Sequence, residues 1–237
     1  MLVGGAPALR AARMVDRTEP VTLSGPPPRF VGRAGEKLDA ALECFGVDPR
    51  GLTALDAGAS TGGFTDCLLQ RGAVRVIAVD VGRNQLHERL REDPRVVSLE
   101  RTNVRSLAPA DLPDAPFALL VADLSFISLR TVAPALAALL APGADAVVLV
   151  KPQFEAGRQE VSAGKGVVRD PEVWRRTLHE VASAWQARGA SMMGVMASPL
   201  RGADGNVEFL VHLRPGVPEG RWDPERAVAA GRALAGL

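Results

Sequence analysis

Between two apolar runs this chain carries Asp56-Ala-Gly-Ala-Ser-Thr-Gly-Gly-Phe-Thr-Asp66, the segment that most narrows what it can fold into. Residues 52–55 before it read as a short strand. Residues 64–71 after it read as a helix that Gly72 stops. A turn of small residues between strand and helix lets a ligand approach the backbone, because glycine has no Cβ in the way. A second apolar run, residues 76–80, ends in Asp80, where a doubly wound fold places a ribose-binding carboxylate. The functional reading is a nucleoside site; a purely structural strand–turn–helix is the alternative.

The turn also discriminates between nucleosides. The dinucleotide fingerprint spaces its glycines G-x-G-x-x-G and seats a pyrophosphate on the helix N-terminus. Gly58, Gly62 and Gly63 do not fit that spacing, and Asp56 at the strand end would repel a pyrophosphate. An acid there suits a cation. S-adenosylmethionine carries an ammonium and a sulfonium, and the run from Asp56 through Gly58, Ser60, Thr61, Gly62 and Gly63 to Phe64 resembles the methyltransferase form of this loop.

The rhythm around the loop sets the fold class. Strands are expected at 52–56, 74–80, 95–100, 117–123 and 144–150, and helices at 35–45, 84–92 and 128–140, which implies a mainly parallel α/β sheet. Asp170-Pro171 is an N-cap and first-turn pair opening a helix that Gly189 ends. Its Trp174, Leu178, Val181 and Trp185 share one face and read as core. Residues 190–197 and 206–213 are two strand patterns joined by Arg201-Gly-Ala-Asp-Gly205. That link is too short for a parallel crossover, so the sheet should end with one antiparallel strand. A last helix is expected at 223–235. Residues 1–29 show strand-like pieces but no core, so the domain proper spans 30–237.

Arginine and lysine usage is lopsided. Of 28 basic residues only Lys37, Lys151 and Lys165 are lysine. Lysine is a compact cation that can give up its proton in a protein interior, whereas guanidinium stays charged. Where lysine persists among arginines, its chemistry is under suspicion. In open parallel sheets, ligands bind beyond the carboxyl ends of the strands. Asp123 ends one expected strand and Lys151 the next. Glu208 begins the reversed strand and so lies at the same edge, and Lys37 lies on the helix before the first strand. Two cations and two acids would face one pocket beside the loop; each alone would pass for a surface ion pair.

The segments Val31-Gly-Arg-Ala-Gly-Glu-Lys37-Leu, Asp56 to Asp66, Asp123-Leu-Ser-Phe-Ile-Ser128, Val150-Lys-Pro-Gln-Phe-Glu155, Gly164 to Asp170 and Gly205-Asn-Val-Glu-Phe-Leu210 resemble the TlyA (hemolysin A) family of FtsJ-like RNA methyltransferases over residues 30–214. The resemblance implies a Rossmann-like class I methyltransferase fold, S-adenosylmethionine as cofactor, and ribose 2′-O-methylation of ribosomal RNA or ribosomal subunits. It carries the family's Lys-Asp-Lys-Glu tetrad onto Lys37, Asp123, Lys151 and Glu208. Lys151 is then the candidate base or polarising cation for the 2′-hydroxyl, Lys37 the holder of the target phosphate or ribose, and Asp123 and Glu208 the orienting groups. Asp80 would bind the cofactor ribose, Asn103 the adenine, and Asp123 also the methionine end. Two departures stand out: Gly32-Arg33-Ala34-Gly35 stands where the family usually has Ser-Arg-Gly-Gly, and residues 1–29 match at most the tail of the family's N-terminal RNA-binding module, with Val3-Gly-Gly5 and Val21-Thr-Leu23 as remnants. A flexible leader is the other reading of that segment, and a start codon assigned too late would also explain it.

Composition sets the remaining bounds. The formal net charge is +1 and tyrosine is absent, so neither bulk charge nor an aromatic platform announces nucleic-acid binding. Early arginines leave open a local basic surface or a solvated leader. Cys44 and Cys67 lack metal-ligand spacing and read as reduced thiols of a cytoplasmic protein, with no metal expected. No apolar run reaches membrane-spanning length, against the lysis that the hemolysin name suggests. A cofactor-binding RNA or ribosome-assembly partner with weak or no catalysis is the rival reading.

Overall fold

The computed structural model describes residues 1–8, 10, 12–22 and 28–237. Leu23, the last residue of one strand-like remnant, lies outside the described residues. The first 22 residues hold three two-residue strands, β1 (Leu2–Val3), β2 (Ala6–Pro7) and β3 (Val21–Thr22), paired antiparallel in the order β2-β1-β3. Val3 is buried, whereas β2 and β3 are exposed.

The rest of the chain alternates apolar strands with amphipathic helices. In order these are α1 (Ala34–Phe45), β4 (Thr53–Ala57), α2 (Gly63–Gln70), β5 (Arg75–Val79), α3 (Glu88–Arg91), β6 (Val96–Leu99), β7 (Phe117–Ala122), α4 (Leu129–Ala138) and β8 (Leu140–Val150). Then come α5 (Pro152–Glu155), α6 (Arg158–Ala163), α7 (Pro171–Gln186), β9 (Ala190–Ala197), β10 (Phe209–Pro215) and α8 (Pro224–Ala235). The seven main strands lie in the order β6-β5-β4-β7-β8-β10-β9. The first five run parallel, and β10 is antiparallel to both neighbours.

Both faces of this sheet are buried, which is why its strands read as continuous apolar runs. Leu55, Ile77, Leu120 and Val148 point to the face covered by α4, α7 and α8. Their chain neighbours Ala54, Val76, Leu119 and Val147 point to the face covered by α1 and α2. Trp174, Leu178, Val181 and Trp185 are fully buried, as the helical spacing implied. Asp170 accepts a hydrogen bond from the Glu172 N–H and caps α7 with Pro171 in its first turn.

The structure departs from expectation in the slot of one strand, in several element ends, such as α3 (Glu88–Arg91, against 84–92) and β8 (from Leu140, against 144), and in two short helices. The reversed strand is not outermost: it fills the slot between β8 and β9. The α7 crossover carries β9 two places beyond β8, and the short return from β9 brings β10 back into the gap. The helix expected at 128–140 ends at Ala138, because the Leu139 carbonyl accepts from the Phe117 N–H and Leu140 already pairs with that residue. The single-turn helices α5 and α6 were not foreseen; they are too short to leave a period in the sequence.

Candidate active site

The chain moves outward from β4 through β5 to β6, then returns to the other side of β4 with β7. A crevice opens at the carboxyl ends of the strands where the order reverses, the usual ligand position in such sheets. The cavity here measures about 450 Å³, within the range of small-molecule sites. Gly58, Ser60, Asp80, Asn103, Asp123 and Phe126 are among its lining residues.

Local chemistry shapes each wall. Gly58 has φ 87°, and a Cβ there would lie 2.6 Å from the Asp123 carbonyl oxygen, so no other residue lets the two strand ends approach so closely. Ser60 also adopts positive φ, at 48°, and its N–H donates to Asp80 Oδ2 at 2.8 Å. The Gly82 N–H donates to the other Asp80 oxygen at 2.7 Å. These backbone donors fix the carboxylate at the cavity wall. Asn103 Oδ1 accepts from the Arg105 N–H at 3.0 Å, which orients its amide.

Asp56 lies behind the loop and is wholly buried. Thr65 Oγ1 donates to its Oδ2 at 2.6 Å, while Oδ1 has no partner. Burial pushes this carboxyl up to about 7; the Thr65 hydrogen bond opposes the shift, and Asp123 and Asp80 add to it. A buried acid with an unsatisfied oxygen fits the ammonium of S-adenosylmethionine, and with Asp80 and the main cavity it makes the described residues a fitting cradle for that cofactor.

A second, smaller cavity of about 150 Å³ lies beside the first, lined among others by Ser60, Thr61, Gly63, Phe64, Asp123 and Lys151. Of the loop residues singled out from sequence, Asp56 and Gly62 line neither cavity: Asp56 is buried behind the loop, and Gly62, at φ 97°, makes the turn into α2. Gly63 lets α2 pack on α1, since a Cβ would stand 2.9 Å from the Gly35 nitrogen. Phe64 is chiefly core, 2% exposed.

The four tetrad residues form two ion pairs. Lys151 Nζ lies 2.5 Å from Asp123 Oδ1, outside hydrogen-bond geometry, and donates its hydrogen bond to Ser125 Oγ at 2.9 Å. Lys37 Nζ donates to Glu208 Oε2 at 2.5 Å. The register places the pairs side by side: Phe209 is opposite Val150, so Glu208 faces Lys151 across the antiparallel ladder. Both lysines are buried or nearly so. Lys165, at φ 51° in the exposed loop after α6, joins neither pair.

Two aromatic residues at the rim escaped sequence reasoning. Phe126 is 91% exposed and held at φ 64°, a conformation that costs a non-glycine residue about 1–2 kcal/mol. Its ring leans on Phe154, 5.2 Å between centroids, and Phe154 in turn lies 5.8 Å from Lys151 Nζ. Nothing in a single phenylalanine inside Asp123–Ser128 signals exposure.

Among the described residues no cluster of three or more His, Cys, Asp or Glu side chains could hold a metal ion, and no helix is long and apolar enough to cross a membrane. Cys44 and Cys67 are both free thiols, and burial raises the Cys67 thiol to about 12.

The chain is similar to known proteins. The chain is 50% identical over 213 residues to the 16S/23S rRNA (cytidine-2′-O)-methyltransferase TlyA of Mycobacterium tuberculosis, covering 90% of this chain and 79% of that protein. A solved structure labelled as a hemolysin, from Lactococcus lactis, is 43% identical with a TM-score of 0.81, covering 85% of this chain and 97% of that one. An S-adenosylmethionine dependent methyltransferase from Mesorhizobium loti, 17% identical, shares the fold with a TM-score of 0.57 over 77% of this chain and all of the other. The family model described as FtsJ-like methyltransferase matches residues 30–215, so the fold, the crevice and the sequence converge: this chain belongs to the FtsJ-like methyltransferases.

Proposed function

We propose that this chain methylates a ribose 2′-hydroxyl of ribosomal RNA, on a cytidine as in the TlyA relative, with S-adenosylmethionine as cofactor. The observation that carries the reading is Lys151: a nearly buried ammonium, paired with Asp123 and bonded to Ser125, on the wall of the cavity next to the cofactor crevice. The cofactor, when bound, supplies a methyl group on a positively charged sulfur. Asp80 and Asn103 hold its nucleoside and the Asp56 side of the loop its amino-acid end.

A ribose hydroxyl is a weak nucleophile at neutral pH and reacts only as its proton is drawn away. As the ammonium, Lys151 polarises the hydroxyl; once its own proton has passed to solvent, the neutral amine accepts the hydroxyl proton as the oxygen takes the methyl and the sulfur leaves as a neutral thioether. Asp123 and Ser125 aim its ammonium, and Glu208 holds Lys37 beside it for the target phosphate or ribose. Phe126 offers an exposed ring at the mouth for the target base or its neighbour. Arg33, Arg83, Arg101, Arg169 and Arg201 flank the same rim without carboxylate partners among the described residues, which suits a polyanion. Lys165 extends that rim on its own loop. The site serves a cytoplasmic enzyme acting on ribosomal RNA or subunits, and residues 1–22 add an auxiliary surface with Arg10 and Arg17.

The test is transfer of labelled methyl from S-adenosylmethionine to ribosomal RNA and to subunits. Label in alkali-resistant dinucleotides is expected with wild type and not with Lys151→Ala. Cofactor binding without transfer to any of these acceptors would instead support a ribosome-assembly partner.

A further inference from the structure

We propose that Glu155 is a positioning residue for this reaction: it locks the segment carrying Lys151 onto the loop carrying Asp123. The inference rests on the role given to Lys151 above.

Lys151 is followed directly by α5, a helix of four residues. A single turn has no stability of its own, because nucleation costs more than one hydrogen bond returns. Its direction, and that of the lysine leading into it, must come from tertiary anchors. The anchors run in matching order along two segments. Lys151 meets Asp123 and Ser125, Phe154 meets Phe126, and Glu155 meets Ser128 and Leu129. The upper contacts border the cavity or solvent. Glu155 is the most deeply buried of the three, 3% exposed.

Its carboxylate is fully engaged. Ser128 Oγ donates to Oε2 at 2.5 Å and the Leu129 N–H to Oε1 at 2.6 Å. Arg130 Nε donates to Oε2 at 3.3 Å, and an Arg130 Nη donates to the Glu155 backbone carbonyl at 2.6 Å. Arg130 reaches on to Glu180 on α7 at 2.5 Å. Burial raises the Glu155 carboxyl above its ordinary range against the pull of these donors. Helix capping alone does not explain the arrangement. Ser128 already caps α4 by accepting from the Arg130 N–H at 3.1 Å. What Glu155 adds is a bond between the two segments that bear the ion pair.

The chain's three lysines make the test direct. Lysine labelled with ¹³C at Cε gives three resonances, assigned by Lys→Arg variants and read without RNA. In Glu155→Gln the amide cannot accept from both Ser128 and Leu129, and the Arg130 ion pair is lost. The Lys151 resonance should move while that of Lys165 stays. The turnover rate at saturating cofactor and RNA should fall about 30-fold, since an ångström of misplacement near reacting atoms is costly. Ser128→Ala, which leaves the carboxylate in place, should do the same to a lesser degree, about 3-fold, and decides the matter if the first variant does not fold. An unmoved Lys151 resonance, or displacement of all three lysines together, overturns the proposal. A wild type that transfers no methyl would sink the functional reading instead, with the lysine spectra still decisive on positioning.

Discussion

The two ends of the central sheet treat charge in opposite ways. At the amino ends of the strands, four arginines are neutralised close by: Arg50 by Asp48, Arg95 by Asp93, Arg75 by Asp114 and Arg214 by Asp145. At the carboxyl ends, the arginines at 33, 83, 101, 169 and 201 have no such partner among the described residues, while both lysines of the cavity region are buried and paired. Exposed ion pairs contribute little to stability, typically 0–1 kcal/mol. Their placement therefore says more about what each end meets than about folding. One end holds several arginines in carboxylate pairs, and the other leaves five arginines around a crevice without one. The net charge of +1 conceals this division, because it averages over the whole surface.

The sharpest way to break the comparison is at the buried cations. Lys151→Ala should lower methyl transfer by a factor of about 10²–10⁴, read as label on RNA, with cofactor affinity by calorimetry nearly unchanged; normal transfer would remove Lys151 from the mechanism.

Asp56 comes next. With its carboxyl raised to about 7 by burial, the folded state holds a proton that the unfolded chain has released above its ordinary value near 3.8. Stability from this group is thus present below about 3.8 and is lost as pH rises through about 7, at a cost of roughly 4 kcal/mol. Asp56→Asn should leave the ligand-free protein at least as heat-stable as wild type at pH 8, yet weaken cofactor binding about tenfold. A variant that binds the cofactor equally well would place the ammonium elsewhere.

The rim itself is tested by charge reversal. Arg33→Glu with Arg201→Glu should raise the RNA concentration needed for half-maximal rate about tenfold and flatten its salt dependence. Arg50→Glu with Arg95→Glu, at the opposite end, should change neither. Equal effects at both ends would erase the distinction. The smallest expected effect is at the mouth: Phe126→Ala should cost about 1 kcal/mol of RNA affinity, the low end for one stacked base, while relieving a strained backbone only if glycine is placed there. Comparing Phe126→Ala with Phe126→Gly in a binding titration and a melting curve separates the two.

Much of the fold was legible because its signals are local. Alternating burial on two faces produced unbroken apolar runs, Asp170-Pro171 marked a helix start, and the five residues from Arg201 to Gly205 excluded a crossover. The Asp56–Phe64 loop and Asp80 were legible together because a backbone amide of one meets the carboxylate of the other 20 residues on. What escaped had no local mark. The slot taken by β10 depends on how far α7 carries the chain. Phe126 is exposed because its backbone is turned, and Glu155 is buried because Arg130 and the start of α4 come to it. The structural work of Gly62 at the turn into α2, and of Gly63 in packing α2 on α1 beside the smaller cavity, also left no mark along the chain.

By itself, then, the sequence determined the alternation of strand and helix, the nucleoside-type loop, and the four residues worth suspecting at one edge. Only the tertiary structure decided how those four pair. Lys37 reaches Glu208 across 171 positions, and Lys151 takes Asp123 and Ser125. The physical reason is one of range: turns, caps and periodicity are set by neighbours along the chain. A charge's partner is set by strand order and register, which exist only once the sheet has formed.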